Sequence, residues 1–311
     1  MDTRLKQLSY SSLLTLHSCP RKFQLDRLQA PQQEDEANKS SVTFAFGHIV
    51  GLGIQSCFDN KTEEEIIWEM FLMWDIDLLE DNPKQVKSFW HGVTAIQKFI
   101  SMREHGFLRG WNLVYIPDSE GNNRPAVELS FLVNFPDSFK YRGFVDAVLQ
   151  NEDTQEIMVL EVKTTSGSTV NAATYKNSAQ AIGYSVILDH LFPELSSYEV
   201  LYLVYKTKSK EFETLPFTKS YLQRALWIRE LLLDIESIKM YEDADIYPMH
   251  GESCYNFFRE CEYMYTCTLS TEKLTDRITP EQEQKILEAH ETYQISLSIE
   301  DLIATQLRKS E

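Results

Sequence analysis

Tyr141-Arg142-Gly143-Phe144-Val145-Asp146, Leu160-Glu161-Val162-Lys163-Thr164 and Gln180-Ala181-Ile182-Gly183-Tyr184 are the three runs whose reading decides the fold. Asp146 lies inside an alternating apolar run, Phe144 to Leu149, which predicts a strand. Glu156 to Val162 predicts a second strand, with Ile157, Val159 and Leu160 as its apolar positions. The polar turn Gln150 to Thr154 joins them, so an antiparallel hairpin is expected. Glu161 and Lys163 are two apart and leave one face of the sheet. Pairing within the hairpin can set Asp146 beside Glu161. Two carboxylates converging with a lysine suit a hard divalent cation, which takes oxygen ligands and keeps several waters. The lysine can orient an attacking water and offset phosphate charge. An isolated Glu-x-Lys is ordinarily a solvated surface strand. Here the carboxylates sit within apolar runs, where unpaired charge is costly.

The order Gly143-x-x-Asp146, Glu161-x-Lys163, Gln180-x-x-x-Tyr184 resembles the PD-(D/E)XK nuclease superfamily. It is most similar to the RecB and AddB nuclease domains and the CRISPR-associated exonucleases, over about residues 8 to 267. The resemblance implies an α/β, restriction-endonuclease-like core: a mixed sheet flanked by helices, with a helical insertion. It implies a metal-dependent DNA nuclease, most readily an exonuclease acting on single-stranded or duplex ends. Asp146, Glu161 and the backbone carbonyl of Val162 would hold Mg²⁺ or Mn²⁺, and Lys163 would position the attacking water. Gln180 and Tyr184, four apart on one helix face, would lie beside the metal and contact DNA. In the RecB-like pattern a glycine is followed four residues later by a metal-binding histidine. Here Gly47 is followed by Gly51, and the histidine at hand is His48. His48 is either a ligand from a shifted position or a satisfied histidine beside the site. Glu128, at the start of a strand over Val127 to Val133, reads equally as a metal-site residue and as a strand-edge carboxylate.

Composition bounds these expectations. The 311 residues are 43% hydrophobic and 25% charged, as in an ordinary globular protein, and suffice for one large domain or two small ones. No apolar run approaches the ~20 residues of a membrane helix. Met1 to Gln7 is no secretory signal, so a cytoplasmic location is the default. The net charge of -17 argues against coating nucleic acid by bulk attraction. It leaves room for an enzyme that grips a few phosphates through a local groove and metal ions. No P-loop is present, so no ATP-driven motor is expected in the chain.

Taken in order, Ser9 caps a helix carrying Leu13, Leu14 and Leu16, Pro20 ends or restarts it, and Phe23 to Leu28 continues. Phe44 to Phe58 predicts a buried helix with Gly47, Gly51 and Gly53, and Cys57 reads as core. Thr62-x-x-Glu65 is a capping box for a helix to about Leu79. A second helix is expected from Pro83 to near Gly106, with Phe71, Phe89 and Trp90 among the apolar positions of the pair. Trp111 to Ile116 predicts a strand. A helix over Ala173 to Leu191 and a strand over Tyr198 to Tyr205 follow, then the basic turn Lys206 to Lys210 and a helix over Thr218 to Met240. The implied organisation is 1–58, N-terminal helices; 59–106, helical insertion; 107–217, nuclease core; 218–270, helix and cysteine segment; 271–311, polar C-terminal helices that offer a protein-binding surface.

Cys19, Cys254, Cys261 and Cys267 suggest a metal centre rather than disulfides. Four thiolates suit a [4Fe–4S] cluster or a zinc ion. One cysteine near the start and three near the end resembles the iron-staple layout of the AddB-type and CRISPR-associated nucleases. Cys261 and Cys267 have the expected spacing. Between Cys254 and Cys261 lie Tyr255 to Glu260 where two residues are usual, and these would have to loop out. Zinc, or no metal, stays open beside iron. A non-cleaving DNA-binding or assembly subunit and a purely structural metalloprotein are the alternative classes.

Overall fold

The computed structural model describes residues 1–28, 42–59, 61–75, 78, 86–118, 121–195, 198–256, 259–268 and 293–309. In chain order the described helices are α1 (Tyr10–Ser18), α2 (Pro20–Leu28), α3 (Val42–Ser56), α4 (Glu63–Met73), α5 (Phe89–Glu104), α6 (Ala172–Lys176), α7 (Ala179–Leu191), α8 (Tyr221–Asp243) and α9 (Ile299–Arg308). The strands are β1 (Gln7–Ser9), β2 (Trp111–Leu113), β3 (Tyr115–Pro117), β4 (Asn123–Pro125), β5 (Val127–Asn134), β6 (Lys140–Asn151), β7 (Ile157–Thr165), β8 (Tyr198–Lys206), β9 (Glu211–Lys219), β10 (Tyr255–Asn256), β11 (Arg259–Glu260) and β12 (Ile295–Ser298). Two compact units emerge, one from residues 40–129 and 144–224, the other from 1–39, 130–143 and 225–311. Each thus gathers stretches distant in sequence, and β5, β6 and α8 contribute residues to both.

In the first unit the strands run β2-β6-β7-β8-β9, and the pairing of β7 with β8 is parallel while the others are antiparallel. This is a mixed sheet with helices packed on it, the α/β architecture expected. β7 is buried from Ile157 through Val162, as a central strand covered on both faces must be. A parallel neighbour demands a crossover, which α6 and α7 supply. The single helix expected over Ala173 to Leu191 is two, broken at Asn177 and Ser178. Lys219 donates to the Lys176 carbonyl at the end of α6, satisfying a group that the break leaves without a helical partner. The buried ion pair of Arg224 with Asp189, 2.7 Å, fixes the far end of α7.

α3 buries Phe46, Ile49, Val50 and Ile54, spaced for one helix face, into the same core as Leu160 and Val162. Gly53 is required there, since a Cβ would sit 2.6 Å from Ile96. Thr62 and Glu65 form the expected capping box of α4, which ends at Met73 instead of near Leu79. The following helix starts at Phe89, capped by Ser88, and Pro83 lies outside the described residues. Phe71 and Trp90 are not core as expected, being 43% and 70% exposed. They stack around Phe89 instead, Phe71 and Trp90 each edge-on to its ring.

In the second unit β1 runs parallel to the first residues of β6, and β12 runs parallel to β5. Ser9 and Ser12 close the capping box of α1, and Pro20 restarts the chain as α2. Gly143 is structural here, because a Cβ would meet the Phe131 ring. Of the polar helices expected over 271–311, one is present as α9, capped by Ser298 in a capping box with Asp301. The strand preceding it, Ile295–Ser298, was hidden in the sequence by its brevity. The part of those expected helices that begins at Thr279-Pro280 lies outside the described residues. Among the described residues no helix is long and apolar enough to cross a membrane.

Candidate active site

The hairpin of β6 and β7 pairs antiparallel, with Ala147 opposite Leu160 as the last matched residues. One step beyond, the Asp146 carboxylate takes over from the ladder: the Val162 N–H donates to its Oδ2 at 2.9 Å. Glu161 is fully buried and its Oε1 accepts from Lys163 Nζ at 2.5 Å. Lys163 also donates to Gln180 Oε1 at 3.2 Å, and Gln180 donates in turn to Tyr184 Oη at 2.6 Å. The structure therefore joins Asp146, Glu161, Lys163, Gln180 and Tyr184 through neighbouring strands and α7, all in the first unit.

The electrostatics follow from burial. Burial and then the Glu161 charge push the Asp146 carboxyl well above its ordinary range, against Lys163 and the Val162 N–H. Burial raises Glu161 as well, opposed by Lys163. For Lys163, burial works against the charged form, but the two carboxylates outweigh it and hold the amine protonated. Glu161 Oε2 is buried without a hydrogen-bond partner. A buried carboxylate oxygen left unpaired is costly. A cation beside it and Asp146 would relieve both the missing partner and the carboxylate repulsion, so this donor set fits Mg²⁺ or Mn²⁺. Among the described residues no three His, Cys, Asp or Glu side chains are arranged to hold a metal ion by themselves.

An open cleft of about 480 Å³ lies over these groups, lined by Asp146, Val162, Lys163, Glu128, Gln55 and His48, among others. His48 is exposed on the cleft wall. Gly51, where a histidine would stand in the RecB-like pattern, faces open space, with nothing within 4 Å of a built Cβ. Glu128 is drawn into the cleft and has a left-handed backbone, φ 45°, a strained state for a glutamate. Gln55 was missed by the sequence reading. It is 3% exposed and donates to both Glu128 Oε1 at 2.9 Å and the Asp146 carbonyl at 3.0 Å. Its signal was a polar residue in an apolar helix, one turn past Gly51 on the face of Gly47. A buried amide of that kind needs partners.

The four cysteines lie together in the second unit. Cys19 precedes α2, and Arg21 donates from its backbone to Pro248 and from Nε to the Cys267 carbonyl, 3.0 and 2.9 Å. β10 and β11 pair antiparallel, Tyr255 with Glu260 and Asn256 with Arg259, and the Cys261 N–H donates to the Cys254 carbonyl at 2.8 Å. Cys261 and Cys267 pack on a small core of Leu25 and Tyr263. Burial raises the Cys267 thiol, Arg21 opposes this, and Cys19, Cys261 and Cys254 add to the rise through their charges. The thiols are neighbours, but not at ligand spacing. Cys57, expected in the core, is half-buried and packs against its edge: its Sγ lies 3.1 Å from the Gly53 carbonyl and burial pushes the thiol up to about 12.

A mixed sheet that presents Asp, then Glu-x-Lys, from adjacent strands into an open cleft has the site plan of the PD-(D/E)XK class. The chain belongs to the PD-(D/E)XK nuclease superfamily, whose family model matches residues 7–268. A solved structure, "Crystal structure of SSO0001", is similar at 18% identity, over 73% of this chain and 86% of that chain, with a TM-score of 0.25. No curated protein matches.

Proposed function

We propose that the protein is a metal-dependent DNA nuclease, and most readily an exonuclease, in DNA repair, recombination, CRISPR adaptation or phage DNA processing. The observation that carries this is the buried, unpartnered Glu161 Oε2 beside Asp146, with Lys163 held protonated next to both. Asp146, Glu161 and the Val162 carbonyl would hold Mg²⁺ or Mn²⁺, with His48 as a further candidate ligand. The bound ion would polarise the scissile phosphate and lower the pKa of its water. The two carboxylates hold Lys163 as an ammonium in the metal-free site, and in the reaction it would place the water and balance developing negative charge. Two of its three N–H donors are directed to Glu161 and Gln180, which aims the third. Gln180 would extend this line of donors towards the DNA backbone, whereas Tyr184, expected to contact DNA, is 3% exposed and would act by holding the Gln180 amide.

We assign a [4Fe–4S] staple of the RecB/AddB-like branch to Cys19, Cys254, Cys261 and Cys267. The antiparallel pairing of β10 with β11 supports it, because looping out these residues would remove the departure in spacing. A non-cleaving DNA-binding subunit is the second reading, favoured by the empty position at Gly51. Anaerobically purified protein, incubated with end-labelled single-stranded and duplex DNA plus Mn²⁺, tests the choice. Release of short products from the ends is expected; stable binding without products would establish the second reading.

A further inference from the structure

α3 carries two faces of different character. One is buried and apolar, with Phe46, Ile49, Val50 and Ile54. The other runs Phe44, Gly47, His48, Gly51, Gln55 at helical spacing, and every one of these lines the cleft. Phe44 is 75% exposed, so it adds little to the core. Exposed apolar residues scattered singly are normal and mean nothing by themselves. Phe44 is not scattered: its ring stands 6.1 Å from the His48 ring, tilted by 44°, at the cleft wall. Along this helix face Gly47 and Gly51 add no side chain to the wall. A Cβ at Gly51 would meet nothing, and one at Gly47 would first meet Thr164 Oγ1 at 3.7 Å. An aromatic edge thus gives onto a bare strip of helix that ends at Gln55, Glu128 and Asp146.

We infer that Phe44, backed by His48, is a stacking platform for an unpaired base, and that it selects single-stranded DNA, or a frayed end, for the site. This rests on the nuclease reading and deepens it. In a duplex the base faces are covered by their neighbours, whereas a single strand offers them to aromatic side chains, with little regard to sequence. A cleft of about 480 Å³ is of the size that holds a small ligand, so a single nucleotide fits within it. With its base on Phe44 and its sugar over the glycines, that nucleotide brings the adjoining phosphate to Lys163. Stacking also suits this acidic chain. It supplies affinity that does not depend on bulk positive charge, of which the net -17 leaves little.

The test uses the full-length protein with Ca²⁺ in place of Mg²⁺ and a single-stranded oligonucleotide carrying 2-aminopurine at its end, compared with a blunt duplex. Wild-type protein should bind the single strand and quench the 2-aminopurine. Phe44→Ala should weaken that binding by about tenfold and abolish the quench, Phe44→Trp should restore both, and duplex binding should not change. The exposure of Phe44 predicts an unaltered melting temperature. If Phe44→Ala binds the single strand like wild type, while wild type cuts it in Mn²⁺, the platform is wrong and the nuclease reading survives. Equal weakening for the duplex removes the single-strand selectivity. Wild-type protein that neither binds nor cuts either DNA takes down both readings.

Discussion

Asp146, Glu161 and Lys163 stand on two paired strands in the middle of a sheet, whereas Cys254, Cys261 and Cys267 stand on turns and a hairpin of two residues a side. In the first region the backbone ladder sets the geometry: one register fixes which carboxylates meet, and a slip of one residue would turn Glu161 and Lys163 to the other face. The site therefore exists before any ion arrives, with an unsatisfied oxygen waiting. In the second region the backbone brings the thiols near one another and stops. Under the proposed staple, the ligand itself would have to complete the geometry that these turns leave open. A site ordered by strands and a staple proposed on loops call for different experiments.

The largest expected effect breaks the first region only. Lys163→Ala or Glu161→Ala should lower cleavage by about 10³-fold or more, since each removes a group acting on the metal and phosphate. Circular dichroism should show the fold retained. Cleavage at the wild-type rate by either variant would falsify the assignment of β7 as the active strand.

Particular residues show what the sequence made legible. The alternation around Asp146 and the period-two offset of Glu161 and Lys163 specify a hairpin, and they were read correctly because strand geometry is local. The cap at Ser9 and the capping box at Thr62 were legible for the same reason. Gln55 was not, because its value lies in reaching Glu128, distant in sequence, across a fold that periodicity cannot supply. Phe71 and Trp90 look apolar at helical spacing, yet helical spacing does not say how wide the buried stripe is. The break between α6 and α7 carries no Pro or Gly to announce it; it is made by tertiary partners such as Lys219.

The second effect breaks the cysteine region and should spare the first. Protein purified without oxygen is expected to be brown, to absorb broadly near ~400 nm and to hold about four irons per chain. Cys267→Ala should lose the colour and cost about 2–5 kcal/mol in stability, by analogy with the loss of a covalent cross-link. Measured per folded molecule, Mn²⁺-dependent cleavage should persist. Stoichiometric zinc without iron would replace the cluster by a zinc staple. A colourless, metal-free and equally stable protein would remove the staple, and the comparison drawn above with it.

A smaller effect sharpens the claim that the carboxylate pair is strained before metal binds. Both folded carboxyls are raised, so the fold favours their protonated forms. Their contribution is full below the ordinary carboxylate values of about 4 and is lost as pH rises through the folded values. Without metal, wild type should therefore lose melting temperature relative to Asp146→Asn as pH climbs from about 4 towards neutrality. At neutral pH, Mn²⁺ should reverse the difference, because it binds the ionised pair that the variant lacks. Parallel curves for the two proteins across that range, with no response to Mn²⁺, would show that the pair stores no repulsion.

The smallest expected effect concerns His48, which belongs to the cleft without being joined to the carboxylates. Its ring faces Phe44 on an exposed helix face, one turn from the bare Gly51. As a ligand it would act from a shifted position, adding to a hold that Asp146 and Glu161 already provide. His48→Ala should then raise the Mn²⁺ concentration for half-maximal cleavage by up to about tenfold, with the rate at saturating metal little changed. The control is Gly51→His, for which the open space at Gly51 leaves room. In the His48→Ala background it should return the metal requirement towards wild type if a histidine on this helix face serves the ion. A rise in KM for single-stranded DNA, at unchanged Mn²⁺ dependence and without rescue by Gly51→His, would instead make His48 part of the wall beside Phe44. The metal would then be held by strand-borne groups alone, which is the limit the preformed site predicts.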